Sequence, residues 1–186
     1  MTSRRPRHPV AVEISEVDAG EFAELGRLTV DAYLGVAGFD PGDGYLAELG
    51  DVARRAALAV VLVAVDHTGR ILGGVTYVPG SGPYFEWEGR GTAGPPARGS
   101  AGPPARGSAG IRMLAVAPEA RGAGVGTALV RACTARARAE GRERIWLHTT
   151  PEMTDAHRIY EREGFVRARS ADWTGEICLW AYVLDL

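Results

Sequence analysis

The chain reads as a single α/β (α+β) domain, a mixed sheet with helices on its faces, in the order β-α-α-β-β-β-α-β-α-β-β. Three observations predict it. Short apolar runs rich in Val and Ile alternate with amphipathic stretches at helical spacing. The length of 186 residues is that of one domain, enough to bury roughly 70% of the unfolded surface. Apolar residues at 46% and charged residues at 24% are globular proportions, and no run approaches the ~20 apolar residues of a membrane span.

Each element follows from its pattern. Residues 10–17, "VAVEISEV", alternate as a first strand. "GEFAELGRLTVDAYLG" then sets Phe22, Leu25, Leu28, Ala32 and Tyr33 on one helical stripe. "DGYLAELGDVARRAAL" repeats the pattern as a second helix with Leu46, Leu49, Val52, Ala53 and Ala56. "LAVVLVAV" (58–65) is a continuous apolar run, as expected for a strand covered on both faces. After the turn "DHTGR", "ILGGVTYV" (71–78) is the returning strand.

Residues 79–110 break the order. "AGPPARGS" at 93–100 is copied letter for letter at 101–108. Such a repeat cannot bury a core, and residues 89–110 are expected to form a flexible insertion loop. "IRMLAV" (111–116) resumes as a strand, followed by a helix to about Glu140 and the strand "ERIWLHTT" (143–150). "PEMTDAHRIYEREG" predicts a helix with Thr150 as N-cap, Pro151 at its first position and Gly164 as terminator. "FVRARS" and "EICLWAYVLDL" close the chain as two strands.

Composition narrows the function classes. A net charge of −2 gives no electrostatic case for nucleic acid or an anionic membrane. The N-terminal "MTSRRPRHPV" is basic without an apolar segment behind it, unlike a secretory signal. Cys133 and Cys178 are expected to be buried free thiols, and the expected setting is the cytoplasm. All 21 basic residues are arginine, so lysine chemistry is unavailable.

The stretch "PEARGAGVGTALVRA" (118–132) sets Arg121 and three alternating glycines at the mouth of a helix. A helix N-terminus offers unpaired N–H groups and a partial positive charge, and glycines let an anion approach the backbone. A phosphate-bearing ligand is the first hypothesis; a tight strand-to-helix turn alone is the other. The Walker pattern requires a lysine and is excluded. The dinucleotide fingerprint would need glycine at 127, where this chain has Thr127.

"MLAVAPEARGAGVGTALV" resembles the acyl-CoA-binding signature of the GNAT superfamily of N-acetyltransferases, R/Q-x-x-G-x-G/A, matched by Arg121, Gly124 and Gly126. The element order fits, and "HRIYEREGF" (157–165) is similar to the family's late helix with its tyrosine. The resemblance implies a largely antiparallel central sheet of about seven strands with helices on both faces. It implies acetyl-CoA as cosubstrate, with Leu114, Ala115 and Val116 pairing with the pantetheine arm and the Leu114 N–H polarising the thioester carbonyl. Arg121, Gly122, Ala123, Gly124, Val125, Gly126 and Thr127 would hold the pyrophosphate. Asp155 stands where the family often has an asparagine touching pantetheine. Tyr160 would be the general acid.

Acetyl transfer to an amine needs a neutral amine, a stabilised oxyanion and a proton for the leaving thiolate. A backbone N–H supplies the second. A phenol of pKa ~10 can supply the third to a thiolate of pKa ~8.5. The base is open. Many family members carry a glutamate where this chain has Gly110. Glu86, Glu88 and His148 are candidates, and a water chain is another. His157 and Glu161, one turn apart, are expected to pair on the surface. Arg131, Arg136, Arg138 and Arg142 mark the solvated side and end of the helix after the glycine turn. No cluster has metal-ligand spacing. The aromatic residues Tyr33, Tyr84, Phe85, Trp87, Trp173 and Trp180 suggest an acceptor region for a small-molecule or peptide amine. A homodimer is a family habit. The other readings are a non-catalytic acyl-CoA-binding or regulatory protein, and an acyltransferase with another acyl donor or a hydroxyl acceptor.

Overall fold

The computed structural model describes residues 11–36, 44–80, 107–174 and 178–186. The chain runs β1 (Glu13–Glu16), α1 (Phe22–Leu34), α2 (Gly44–Gly50), α3 (Val52–Leu58), β2 (Val60–Val65), β3 (Ile71–Val78), β4 (Ser108–Val116), α4 (Val125–Ala139) and β5 (Arg144–Thr149). It closes with α5 (Thr154–Arg162), β6 (Val166–Arg167), β7 (Trp173–Thr174) and β8 (Cys178–Asp185). The sheet order is β1-β2-β3-β4-β5-β8-β6, with β7 paired to β8. Among the described strands only β4 and β5 run parallel, and the other pairs are antiparallel. The mixed sheet with helices on both faces is the architecture expected.

Alternation along β2 divides the core. Val61 and Val63 pack with Leu25 of α1 and Val52 of α3. Leu62 and Ala64 pack with Val125, Leu129 and Cys133 of α4. Helices α1–α3 therefore cover one face, and α4 and α5 the other. Each buried Val or Leu contributes about 1.5–3 kcal/mol to this arrangement.

Several expectations are corrected. The second helix is two: the Asp51 side chain accepts from the Arg54 backbone N–H (2.9 Å), starting a new helix where the apolar stripe looked continuous. Ser108, Ala109 and Gly110, expected in the insertion loop, are buried residues of β4; residues 89–106 of that loop lie outside the described residues. Cys133 is buried as expected, its thiol pushed up to about 12 by burial, but Cys178 is exposed at the start of β8. Of the arginines after the glycine turn, Arg131 and Arg138 are exposed as expected, whereas Arg136 and Arg142 are half-buried and both bond Glu140, which also accepts from the Tyr77 hydroxyl (2.8 Å) and ties the end of α4 to β3.

Two of the approaches that leave no space for a side chain join neighbouring elements of the frame. A Cβ on Gly26 would lie 2.4 Å from the Gly50 carbonyl oxygen, so glycine lets α1 and α2 cross at backbone distance. A Cβ on Gly73 of β3 would lie 2.6 Å from the Ala115 oxygen of β4.

Candidate active site

The parallel pairing of β4 and β5 stops at Ile111 and Leu147. Beyond it, β4 continues to Val116 beside β3 alone, so one backbone edge loses its strand neighbour. A bulge accompanies the break. Arg112 pairs with Thr76 and Ala115 with Gly74, leaving Met113 and Leu114 opposite the single residue Val75. Met113 takes φ 53, the only positive φ among the described non-glycine residues, and its side chain joins the α1–α2 cluster with Tyr33, Leu46, Leu49 and Val78.

The direction of the free edge follows from the ladder. Ala117 donates its N–H to the Leu72 oxygen (2.9 Å), toward β3, and the Ala115 oxygen lies on that side too. By strand alternation the N–H groups of Leu114 and Val116 point the other way, into the opening between β4 and β5. On the other side of the opening, the hydroxyls of Thr149 and Thr150 are buried with no hydrogen-bond partner among the described residues. Unsatisfied buried hydroxyls beside an unpaired strand edge fit a polar, extended ligand.

The glycine turn closes one end of this opening. Gly122 (φ 78) and Gly124 (φ 91) are left-handed and exposed, while Ala123 between them and Val125 after them are buried. Such a turn aims successive N–H groups one way. No side chain caps α4; within the turn the Arg121 N–H is bonded to Pro118 O (3.4 Å) and the Ala123 N–H to Ala120 O (3.3 Å), and the Ala128 N–H is bonded to Gly124 O at 2.9 Å. Gly126 has a different role: its Cβ would meet Ile159 Cδ1 at 2.9 Å and Val116 Cγ2 at 3.5 Å. It sets the first turn of α4 against α5 and the free end of β4. Arg121 donates through Nε to Val116 O (3.4 Å), and Thr127 is half-buried on the same turn.

Tyr160 follows Ile159 on α5 and is 5% exposed, between Phe165 (5.8 Å) and Tyr182 (5.9 Å). Burial raises its pKa above the ordinary phenol value, and the neighbouring Cys133 and Tyr182 add to the effect. Tyr160 in turn raises the pKa of Tyr33, a smaller effect there than burial and Tyr45. The two tyrosines come from opposite faces of the sheet, Tyr33 from α1 and Tyr160 from α5.

The remaining candidates separate. Asp155 faces solvent, accepting from Arg158 Nη1 at 2.8 Å. The helix begins at Thr154, not after Thr150, because the backbone turns at Pro151 and Glu152 first. His157 and Glu161 do not pair. His157 is 7% exposed, bonds through Nε2 to Thr150 O (2.9 Å) and stacks on Trp180 (5.2 Å), whereas Glu161 accepts from the Tyr182 hydroxyl. His148 is half-buried, its Nε2 3.1 Å from Ala171 O and its ring edge-to-face with Trp146 at 5.6 Å. Glu86 and Glu88 lie outside the described residues, as do Tyr84, Phe85 and Trp87.

Gly110 was legible as a departure; its cause was not. In register it faces Trp146, and a Cβ there would lie 3.1 Å from Cζ2 and 3.3 Å from Cε2 of the indole. Trp146 fills the space above Gly110, so a larger residue at 110 would displace it.

Among the described residues no group of three or more His, Cys, Asp or Glu could hold a metal ion, and no helix is long and apolar enough to cross a membrane.

Comparison with known proteins sets these features in context. The family model described as acetyltransferase (GNAT) family matches residues 22–165. No curated protein matches the chain in sequence. Among solved structures, the chain is similar to an acetyltransferase of the GNAT family from Staphylococcus aureus (TM-score 0.68, 13% identity, covering 95% of this chain and 99% of that one). It is also similar to a GCN5-related N-acetyltransferase from Kribbella flavida (TM-score 0.64, 19% identity, 95% and 98% covered). A third is a GNAT family acetyltransferase from Brucella melitensis, solved in complex with acetyl-CoA (TM-score 0.55, 21% identity, 95% and 91% covered). At these identities the likeness is one of fold.

Proposed function

The chain belongs to the acetyltransferase (GNAT) family, an enzyme family, and from that premise we propose that it transfers an acetyl group from acetyl-CoA to an amine by direct transfer in a ternary complex. The observation that carries the proposal is the open edge of β4 at Leu114 and Val116, with the glycine turn at one end and Tyr160 beside it. The residues fit the cosubstrate: a bare strand edge suits the amides of pantetheine, and the uncapped turn suits a pyrophosphate.

Acetyl-CoA, when bound, supplies the acetyl group as a thioester. Leu114 offers its backbone N–H to the carbonyl oxygen, where negative charge grows as the amine attacks. A donor fixed by the bulge needs no reorganisation at that moment. Arg121 and the N–H groups from Gly122 to Thr127 hold the pyrophosphate. Tyr160 gives a proton to the sulfur as the C–S bond breaks and the C–N bond forms; the amine loses one proton, so the products are an amide and a thiol. Burial keeps Tyr160 protonated at neutral pH, as a proton donor must be. His148 stays a candidate base: its Nε2–H donates to Ala171 O, which fixes the ring's tautomer.

A second reading keeps the acyl-CoA site without catalysis. The Trp146 indole above Gly110 favours it, because the place where many relatives carry a glutamate is filled. Thermal denaturation with acetyl-CoA, CoA, NAD and ATP, followed by thiol release across an amine panel, tests both. Stabilisation by the CoA species with turnover supports the enzyme; about 4 kcal/mol is expected at ~1,000 times Kd. Stabilisation without turnover supports the second reading, and no stabilisation refutes both.

A further inference from the structure

Past Ile111 and Leu147 the sheet has two parts, and acetyl transfer needs groups from both. The glycine turn opens α4, which packs on β2, β3 and β4 and is tied to β3 through Glu140 and Tyr77. Tyr160 rides on α5, which is tied to the other part. There the His157 Nε2–H donates to Thr150 O beyond β5 (2.9 Å), and the Tyr182 hydroxyl of β8 donates to Glu161 (3.2 Å). Across this division α4 and α5 meet by packing and by charge. At the start of α4, Gly126 lies so close to Ile159 that a Cβ would meet its Cδ1 at 2.9 Å. Farther along, Arg131 closes a fork on Glu163, Nε to Oε2 at 2.7 Å and Nη2 to Oε1 at 3.0 Å. The Arg131 side chain is 68% exposed, that of Glu163 only 12%.

An ion pair at the surface adds little stability, but two parallel N–H···O bonds from one guanidinium fix a direction. Ile159 and Glu163 lie about 6 Å apart along α5, and Tyr160 stands between them. A packing contact alone lets a helix pivot; a fork one turn away stops it. Seated on β4 and the glycine turn, acetyl-CoA has its sulfur placed by one part of the sheet, while the phenol arrives from the other. Resting on the acetyl-transfer reading above, we propose that Arg131 and Glu163 are positioning residues, whose ion pair locks α5 to α4 and holds the Tyr160 hydroxyl at the sulfur. Neither residue touches a substrate. Breaking the pair therefore lowers the rate of proton delivery and leaves acetyl-CoA binding as it was.

The experiment is a double-mutant cycle on Arg131→Gln and Glu163→Gln, with Arg131→Lys beside it. Thiol release is followed at saturating acetyl-CoA with the fastest acceptor of a primary-amine panel, and the melting shift given by acetyl-CoA is measured separately. Each single variant should lose about three- to tenfold in kcat, less than the ~10²-fold that a 1 Å misplacement can cost. The melting shift should stay that of wild type. The double variant should lose no more than the worse single, because the two residues act as a unit. Arg131→Lys keeps the charge without the fork and should regain part of the rate. An unchanged kcat in either single variant, losses that multiply in the double, or an equal loss in acetyl-CoA binding would overturn the proposal. A wild-type protein that acetyl-CoA stabilises but that releases no thiol with any amine would instead refute the acetyl-transfer reading beneath it.

Discussion

Replacing Tyr160 with phenylalanine removes one oxygen and no hydrogen bond among the described residues. The ring keeps its contacts with Phe165 and Tyr182, so the stability change should stay within about 1 kcal/mol. For a chain of this length that is a shift of at most about 4 °C in melting temperature. The chemical loss should be far larger. Without a donor the thiolate leaves unprotonated, and kcat should fall about 10²–10⁴-fold at an unchanged acetyl-CoA affinity. The assay is thiol release at saturating acetyl-CoA, with binding followed separately by thermal shift. Because burial raises the pKa of Tyr160 above the usual phenol value, the wild-type rate should show no loss from its deprotonation up to pH 9. A Tyr160→Phe protein that keeps more than half of kcat would refute the role of proton donor. One that melts many degrees lower would mark Tyr160 as a packing residue.

Gly124→Ala places a Cβ in open space but on a left-handed residue (φ 91), so it should cost about 1–2 kcal/mol in urea denaturation and weaken acetyl-CoA binding as the turn distorts. Gly26→Ala should cost about 1–3 kcal/mol despite alanine's better helix propensity, because the new carbon meets the Gly50 oxygen at 2.4 Å; Gly20→Ala, with nothing within 4 Å, is the neutral control. The Arg167 side chain, through its hydrogen bond, holds the Asp172 carboxyl below its ordinary pKa, and the Ala181 N–H helps. That stabilisation is complete above pH ~4, the unfolded value, and fades as pH falls through the lower folded value. The melting difference between wild type and Asp172→Asn should therefore be present at pH 6 and vanish toward pH 2; a pH-independent difference would contradict the linkage.

The element order, the glycine turn and the tyrosine helix were legible because their signals are local: apolar period, closely spaced glycines and a helical stripe. What escaped depends on partners distant in sequence. Nothing in "RML" marks Met113 for a positive φ; the bulge arises from pairing with Gly74 and Thr76. Asp51 could have been read as a cap, but the apolar stripe on either side masked the break it makes. His157 reads as a surface residue by its neighbours, and the arrival of Trp180 and Tyr182 on β8 buries it. At the site, the signature located the turn yet merged two kinds of glycine. Gly122 and Gly124 answer to backbone conformation, whereas Gly126 answers to the proximity of Ile159.

The indole lying over Gly110 also makes substitution here depend on order. A carboxylate introduced at 110 alone would strike Trp146 before it could accept a proton, and shrinking Trp146 alone would leave a void beside Val78. Either first step is a loss, although both together could open a different acceptor cleft. Anyone remodelling the enzyme should exchange the two positions as a unit.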